Sequence, residues 1–325
     1  MGRYVLRRLI FSIPVLLISS VLVFTATRAT TDPSAAIREN PRATAEQVQR
    51  YRADLGLDDP PLQQYLHWLG DFVTGDWGTS LISNREIRPE IIDALLNSLV
   101  LGGLATVVSL TLGISIGLYS SLHKYSKFDY IATTGAFVGL SMPIFWFALI
   151  LQLVFGVYLT RWLGLTTPIV YTSGVTSPGT DGFHLVDRLQ HLILPVIVLS
   201  VQVVAVYSRY MRASMLEVLQ SDYLRTARAK GLRERVVVLR HGMRNALIPI
   251  TTQVALDVGA IAGGLIITET IFDYPGMGSL FIEAQGYGDY PVILSWLMVT
   301  VIFVIVFNLI ADLLYAVLDP RIRYA

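Results

Sequence analysis

Residues 209–244 read RYMRASMLEVLQSDYLRTARAKGLRERVVVLRHGMR. Nine Lys/Arg (Arg209, Arg212, Arg225, Arg228, Lys230, Arg233, Arg235, Arg240, Arg244) stand there against three acids (Glu217, Asp222, Glu234), a net charge of +6. The stretch lies between apolar runs at 192–210 and 246–268, each about the 20 residues that a helix needs to cross a bilayer. A basic loop between two spans belongs on the cytoplasmic side. Two neighbouring helices need only a few residues to join, so a loop this long is expected to do more than connect.

Composition gives the same class. Of 325 residues 53% are hydrophobic and 15% charged, and the mean hydropathy is +0.56, whereas soluble domains carry about 25% charged residues. The chain reads as an integral membrane protein. It has no cysteine, which excludes disulfides, thiolate metal sites and cysteine nucleophiles. The opening, MGRYVLRRLIFSIPVLLISSVLVFTATR, has a basic front and an apolar core close to a full span. No clear small-x-small cleavage site follows, so it is expected to be a retained first helix.

Six runs are able to span: 9–27, 98–122, 131–159, 192–210, 246–268 and 292–318. The third contains Pro143; splitting it would make seven spans and put the basic loop outside, so it is read as one kinked or tilted helix. Six spans leave the N-terminus (Arg3, Arg7, Arg8), the turn with Lys124, Lys127 and Asp129, the basic loop and the tail inside. The outer segments are acidic: 270–290 has Asp273, Glu283 and Asp289 with no basic residue, and 28–97 has seven basic residues against eleven acids, a net −4. The expected fold is therefore an all-α membrane protein of six transmembrane helices with both termini cytoplasmic. Its divisions are 1–27 (tail and first helix), 28–97 (external helical segment) and 98–325 (a five-helix core with the cytoplasmic loop 211–245). Within 28–97, Thr44 with Gln47 forms a possible capping box, Gly56 a stop, and Pro60–Pro61 precede an amphipathic stretch, which predicts two or three short surface helices.

Recognisable catalytic patterns are missing. The sequence has no G-x-x-x-x-G-K-[ST] phosphate loop and no H-E-x-x-H, and it has no nucleophile elbow: its G-x-S-x-G match, GISIG at 113–117, lies inside the apolar run 98–122 and not at a strand-to-helix turn. The histidines at 67, 123, 184, 191 and 241 read as solvated or interfacial. Asp257 is the one acid well inside a span, where a carboxylate either lines a polar pathway or is held by a local hydrogen bond. With Met142 and Gln253 it makes up the candidates for pathway residues. Gly113 with Gly117 and Gly259 with Gly263 are small-x-x-x-small pairs, suited to tight helix packing or to helices that slide.

In the loop, SDYLRTARAKG predicts a short helix from Ser221 or Asp222 to Gly231, then a second amphipathic stretch that returns to the membrane at 246–249. Thr226, Ala227 and Ala229 keep one surface slim while Arg225, Arg228 and Lys230 are cationic, a shape suited to a groove in another protein. A basic helix on anionic headgroups would explain the charge but does not call for the alanines and the glycine.

The loop resembles the coupling loop of ABC-importer permeases of the oligopeptide/dipeptide/nickel type. The general pattern is E-A-A, three residues, G, nine residues, I-x-L-P. Here Arg225, Thr226 and Ala227 stand at the E-A-A places, Gly231 matches, and His241, Gly242, Met243 and Arg244 replace I-x-L-P. The peptide-type version is followed closely by DY-x-RTARAKG and RHG-x-RNALIP. In order along the chain, RRL…IPVLL, GLDDPPLQQYLHWL, GDWGTS, SMPIFW, YSRYMRASMLEVL, ETIFDYPGMGSL and NLIADLLYAVLDPRIR are similar too, and point to the first (B-type) of two permease subunits.

The resemblance implies the type I ABC-importer permease fold, a multi-pass place in the bacterial inner membrane, and transport rather than catalysis. The partners implied are a second homologous permease, two ATP-binding-cassette ATPase chains or one fused ATPase, an external solute-binding protein and membrane lipids; nucleic acid is not among them. It implies no cofactor on this chain, with ATP and Mg on the ATPases. The coupling residues implied are Asp222, Tyr223, Arg225, Thr226, Ala227, Arg228, Ala229, Lys230 and Gly231. The expected solute is a peptide; nickel chelate or glutathione are the alternatives within the family, and a stand-alone secondary carrier is the alternative outside it.

Overall fold

The computed structural model describes residues 2–30, 44–54, 56–179 and 182–318. In chain order its helices are α1 (Gly2–Thr30), α2 (Ala45–Asp54), α3 (Pro61–Thr74), α4 (Ile87–Leu122), α5 (Lys127–Ser141), α6 (Ile144–Leu151), α7 (Leu159–Trp162), α8 (Leu185–Leu219), α9 (Asp222–Ala229), α10 (Glu234–Val236), α11 (Met243–Ala246), α12 (Ile248–Ile261), α13 (Ile266–Ile271), α14 (Met277–Tyr287) and α15 (Tyr290–Leu318). Wider, π-type turns at Gln152–Tyr158 and Val237–Gly242 join α6 to α7 and α10 to α11. The fold is all-helical, as expected.

Five helices, among the described residues, are long and apolar enough to cross a membrane: Ile10–Ala29, Ile87–Leu122, Ile144–Trp162, Leu185–Leu219 and Tyr290–Ile310. Two expected spans are broken rather than continuous. The run at 131–159 is interrupted at Met142, whose φ of −82° and ψ of 121° are extended, because the following Pro143 excludes helical backbone before it and brings no N–H of its own. The run at 246–268 carries the 14-residue α12, about 21 Å long and too short to cross alone. The helix ends at Ile261, and the break that follows holds Gly264, which sits at φ +81° so close to Gly278 that any Cβ would collide with that residue's backbone. Two other spans overrun: α4 and α8, at 36 and 35 residues, are each over 50 Å long against a hydrocarbon core of about 30 Å.

The chain divides into two compact units. The first comprises Met1–Ser98, Ala262–Ile266 and Pro275–Val306. Its core is Ile87, Ile91, Ala94, Met277, Ala284, Val292, Ile293 and Trp296, and Trp296 Nε1 donates to the Met277 carbonyl at 2.7 Å. The expected capping box is present: Thr44 N donates to Gln47 Oε1 at 2.8 Å and Gln47 N to Thr44 Oγ1 at 3.2 Å. Helix α3 starts at Pro61, where a missing N–H costs nothing, and lays Tyr65 and Trp68 against Phe24 of α1. Asp289 is buried and accepts from Ser80 Oγ at 2.6 Å and Leu81 N at 3.0 Å, which folds the segment after GDWG onto the start of α15.

The second unit comprises Leu99–Ile261, Ile267–Tyr274 and Phe307–Ala325, and α8 is its spine. Gly113 and Gly117 of α4 meet it at backbone distance: a Cβ on Gly113 would lie 2.7 Å from Tyr207 Cβ, and one on Gly117 would press closest on the Ser208 carbonyl. These glycines are packing surfaces, and larger residues would hold the helices apart. His191, expected to be solvated or interfacial, is buried at 4% exposure, stacked on Tyr171 with ring centres 4.3 Å apart, its Nδ1 2.8 Å from the Asp187 carbonyl. A His at a span end has no sequence signal for an aromatic lid supplied by a distant loop. The C-terminal tail beyond residue 318, expected inside, lies outside the described residues.

Candidate coupling site

The basic loop is a helical hairpin built on the inner end of α8. That helix does not stop at 210 but runs to Leu219, so the first third of the charged stretch extends a span. Hydropathy misses this because Arg209 and Arg212 are charged, yet both have partners. Arg209 lies over the Phe137 ring at 4.9 Å. Arg212 makes a two-pronged bond to Asp129, Nε to Oδ1 at 2.7 Å and NH2 to Oδ2 at 2.8 Å.

Helix α9 begins at Asp222, with Ser221 extended before it (φ −71°, ψ 147°), where the sequence predicted a start. Gly231 ends it. At φ +75° this residue is in the left-handed region that side chains avoid, and its N–H returns to the Arg228 carbonyl at 2.9 Å. Open space surrounds its Cα, so the requirement for glycine is one of backbone conformation and not of volume. Arg228 then staples the turn: NH2 donates to Glu234 Oε1 at 2.8 Å and Nε to Oε2 at 3.1 Å. This bond holds the Glu234 carboxyl below its ordinary range and raises Arg228.

The faces of α9 differ from expectation at one position. Leu224 and Ala227, three residues apart, turn inward and pack with Val237 against Val218 and Leu219. Ala227 therefore belongs to the hairpin's own core and not to the slim outer surface. The exposed face consists of Asp222, Tyr223, Arg225, Thr226, Ala229 and Lys230, with Arg228 half-buried. Tyr223 is fixed by Asn245, which donates to its hydroxyl at 2.8 Å. Asn245 escaped the sequence reading, and its place in RNALIP was the only signal. Beneath the hairpin, Met211, Met215, Val238, Ala246 and Ile250 form a continuous apolar cluster, and a Cβ on Gly242 would lie 2.9 Å from Met215 Cε.

Of the three pathway candidates, two are neighbours. Asp257 accepts from Gln253 Nε2 at 2.8 Å on one oxygen and from Tyr207 Oη at 2.7 Å on the other. Tyr207 is fully buried and Asp257 half-buried. The carboxylate is thus held by two neutral donors, which is how an acid within a span is tolerated. Met142 is tied elsewhere: at the break before α6, its carbonyl accepts from Gln202 Nε2 at 2.8 Å. Sequence reasoning overlooked Tyr207, Gln202 and Gln152; the last donates to the carbonyls of Thr172 and Ile271, both at 2.8 Å, and so joins three segments of its unit.

The chain matches the family described as binding-protein-dependent transport system inner membrane component over residues 109–324, and that family's N-terminal component over 1–84. It is 41% identical over 325 residues to the oligopeptide transport system permease protein AppB of Bacillus subtilis (strain 168), covering all of both chains. Identity is 39% over 331 residues to the dipeptide transport system permease protein DppB of Alkalihalophilus pseudofirmus, covering 99% of each chain. To the glutathione transport system permease protein GsiC of Escherichia coli (strain K12) it is 37% over 324 residues, with both chains fully covered.

Proposed function

The chain belongs to the inner-membrane components of binding-protein-dependent transport systems, a multi-pass permease subunit, and we propose that it forms half of a peptide pathway gated by a separate ATPase. The observation that carries this is the hairpin: a helix of eight residues, bounded by Ser221 and Gly231, whose inward side chains are locked to α8 while Tyr223, Arg225, Thr226, Ala229 and Lys230 stay exposed. Such a finger, cationic and slim on its outer side, suits a cleft of an ATP-hydrolysing partner, and a load on it would reach α8 through packed side chains.

The solute is a peptide. Relatives of about 40% identity along the whole chain are named for oligopeptide and dipeptide transport, and glutathione, named for another, is itself a tripeptide. The membrane part has six spans: the five long helices and a fifth in chain order built from α12 and α13, with both termini and the hairpin inside. The 28–97 segment faces outward, where a binding protein delivers solute to the chain and its permease partner. Asp257, Gln253 and Met142 line the route.

The test is reconstitution. Proteoliposomes with this permease, its permease partner and the ATPase should take up a dipeptide only with ATP inside and loaded binding protein outside. Uptake by the purified chain alone would overturn the proposal in favour of a stand-alone carrier.

A further inference from the structure

The Asp129–Arg212 pair joins two elements that no local rule brings together. Asp129 is in the first turn of α5, where the helix dipole favours a carboxylate, and Ser126 Oγ caps its N–H at 3.2 Å. Its Oδ2 also accepts from Tyr125 N at 2.9 Å; Tyr125 is left-handed at φ +65°, so the turn after α4 is wound back onto this one side chain. Arg212 supplies both prongs of its guanidinium. Asp129 is only 3% exposed, while the Arg212 side chain is 28% exposed, so the carboxylate end of the pair is screened less by salt than that of a surface ion pair.

Arg212 is held from a second side. A Cβ on Gly117 would lie 3.0 Å from Arg212 N and 2.7 Å from Met211 Cβ, so α4 seats the backbone there while α5 grips the side chain. One and nearly two turns further along α8, Met215 and Val218 carry the hairpin. In the other direction α5 is tied to α8 twice more, by Gly139 against Val201 and, at the helix break, by Gln202 on the Met142 carbonyl. Helix α5 is thus clamped at both ends to the helix that bears the loop, and a break in the chain follows the second clamp.

We infer that Asp129 and Arg212 are positioning residues of the coupling path: their bond makes α5 move with the inner end of α8, so that displacement of the hairpin reaches the joint at Met142–Pro143. The inference rests on the coupling role proposed above. Without the bond α8 can still be pushed, but α5 lags and the joint is not driven.

The native chain has no cysteine, which permits a direct test. In an otherwise cysteine-free assembled importer, Asp129→Cys with Arg212→Cys is bridged by a short bifunctional methanethiosulfonate reagent, then released by reductant. ATP hydrolysed per dipeptide imported is measured in both states of the same preparation, so folding and assembly are held constant. The released form, which lacks both hydrogen bonds, is expected to hydrolyse at least about tenfold more ATP per dipeptide, the factor for losing even one hydrogen bond to a charged group, and the bridged form to return towards the native ratio. Asp129→Asn should match the released form. An unchanged ratio in the released form, or a verified bridge that fails to restore it, overturns the inference. Gly231→Val run alongside separates the two levels: if it too leaves the ratio native, the coupling role itself fails, whereas a raised ratio there with a native ratio in the released form removes only the Asp129–Arg212 step.

Discussion

Gly117→Ala tests whether α4 and α8 touch backbone to backbone. The new Cβ would stand 2.7 Å from Met211 Cβ and 3.0 Å from Arg212 N, and press closest on the Ser208 carbonyl. Carbon atoms prefer about 3.5–4.0 Å, so the helices must part by roughly 1 Å, and two of the three obstructing atoms are backbone that no rotamer change can move. Overpacking of this kind costs about 1–3 kcal/mol, and rigid neighbours put it near 3. Ala in place of Gly returns about 1 kcal/mol of helix propensity, leaving a net loss of about 2. Gly135 of α5 supplies the control, since a Cβ there meets nothing within 4 Å, and Gly135→Ala should gain about 1 kcal/mol. The two variants should therefore differ by about 3 kcal/mol in equilibrium unfolding by sodium dodecyl sulfate in mixed micelles. Equal stability, or a more stable Gly117→Ala, would refute the close contact and with it the reading of Gly113 and Gly117 as packing surfaces.

Four further outcomes follow. Gly231→Val should cost about 1–2 kcal/mol locally through its φ of +75°, raising hydrogen exchange at residues 227–234 without loss of insertion. Glu234→Gln should loosen the same turn by about 0.2–1 kcal/mol. Because the folded Glu234 carboxyl lies below its ordinary 4.5, the pair's contribution is complete above that value and fades as pH falls through the folded one, so acid should reproduce the Gln effect only below about 4.5. Tyr207→Phe removes a hydrogen bond to a carboxylate, and detergent unfolding should show a loss of about 1.5–3 kcal/mol. Asp257→Asn should slow dipeptide uptake with the ATPase intact; unchanged uptake across several peptides would make the residue a packing device.

Local chemistry was readable from the residues and long-range pairing was not. Ser221 and Gly231 bound a helix because one stands extended before it and the other tolerates positive φ, and Thr44 with Gln47 cap another through atoms three residues apart. The end of α8 was hidden because Arg212 reads as a loop residue until it is matched with Asp129, 83 positions away. The break after α12 was hidden because Gly263 and Gly264 are neutral on a hydropathy scale, while the close approach of Gly278 depends on the fold. Ala227 was assigned to the outer face for its size, although its spacing from Leu224 already put both on one side of the helix. Asp257 was singled out by its charge inside a span, but only the fold supplied Tyr207, 50 residues earlier, as its second donor.

Cross-linking from the hairpin reports whether α9 docks on the ATPase. Thr226 and Ala229 are exposed on α9 and the native chain has no cysteine, so Thr226→Cys or Ala229→Cys carrying a short thiol-reactive photoprobe reports what lies against that face in the assembled importer. A covalent adduct with the ATPase subunit is expected, its yield changing with bound nucleotide, and none from a probe at Val73 of α3. Probes on α9 that yield no ATPase adduct, or that react with membrane-impermeant reagents added from outside, would contradict that docking.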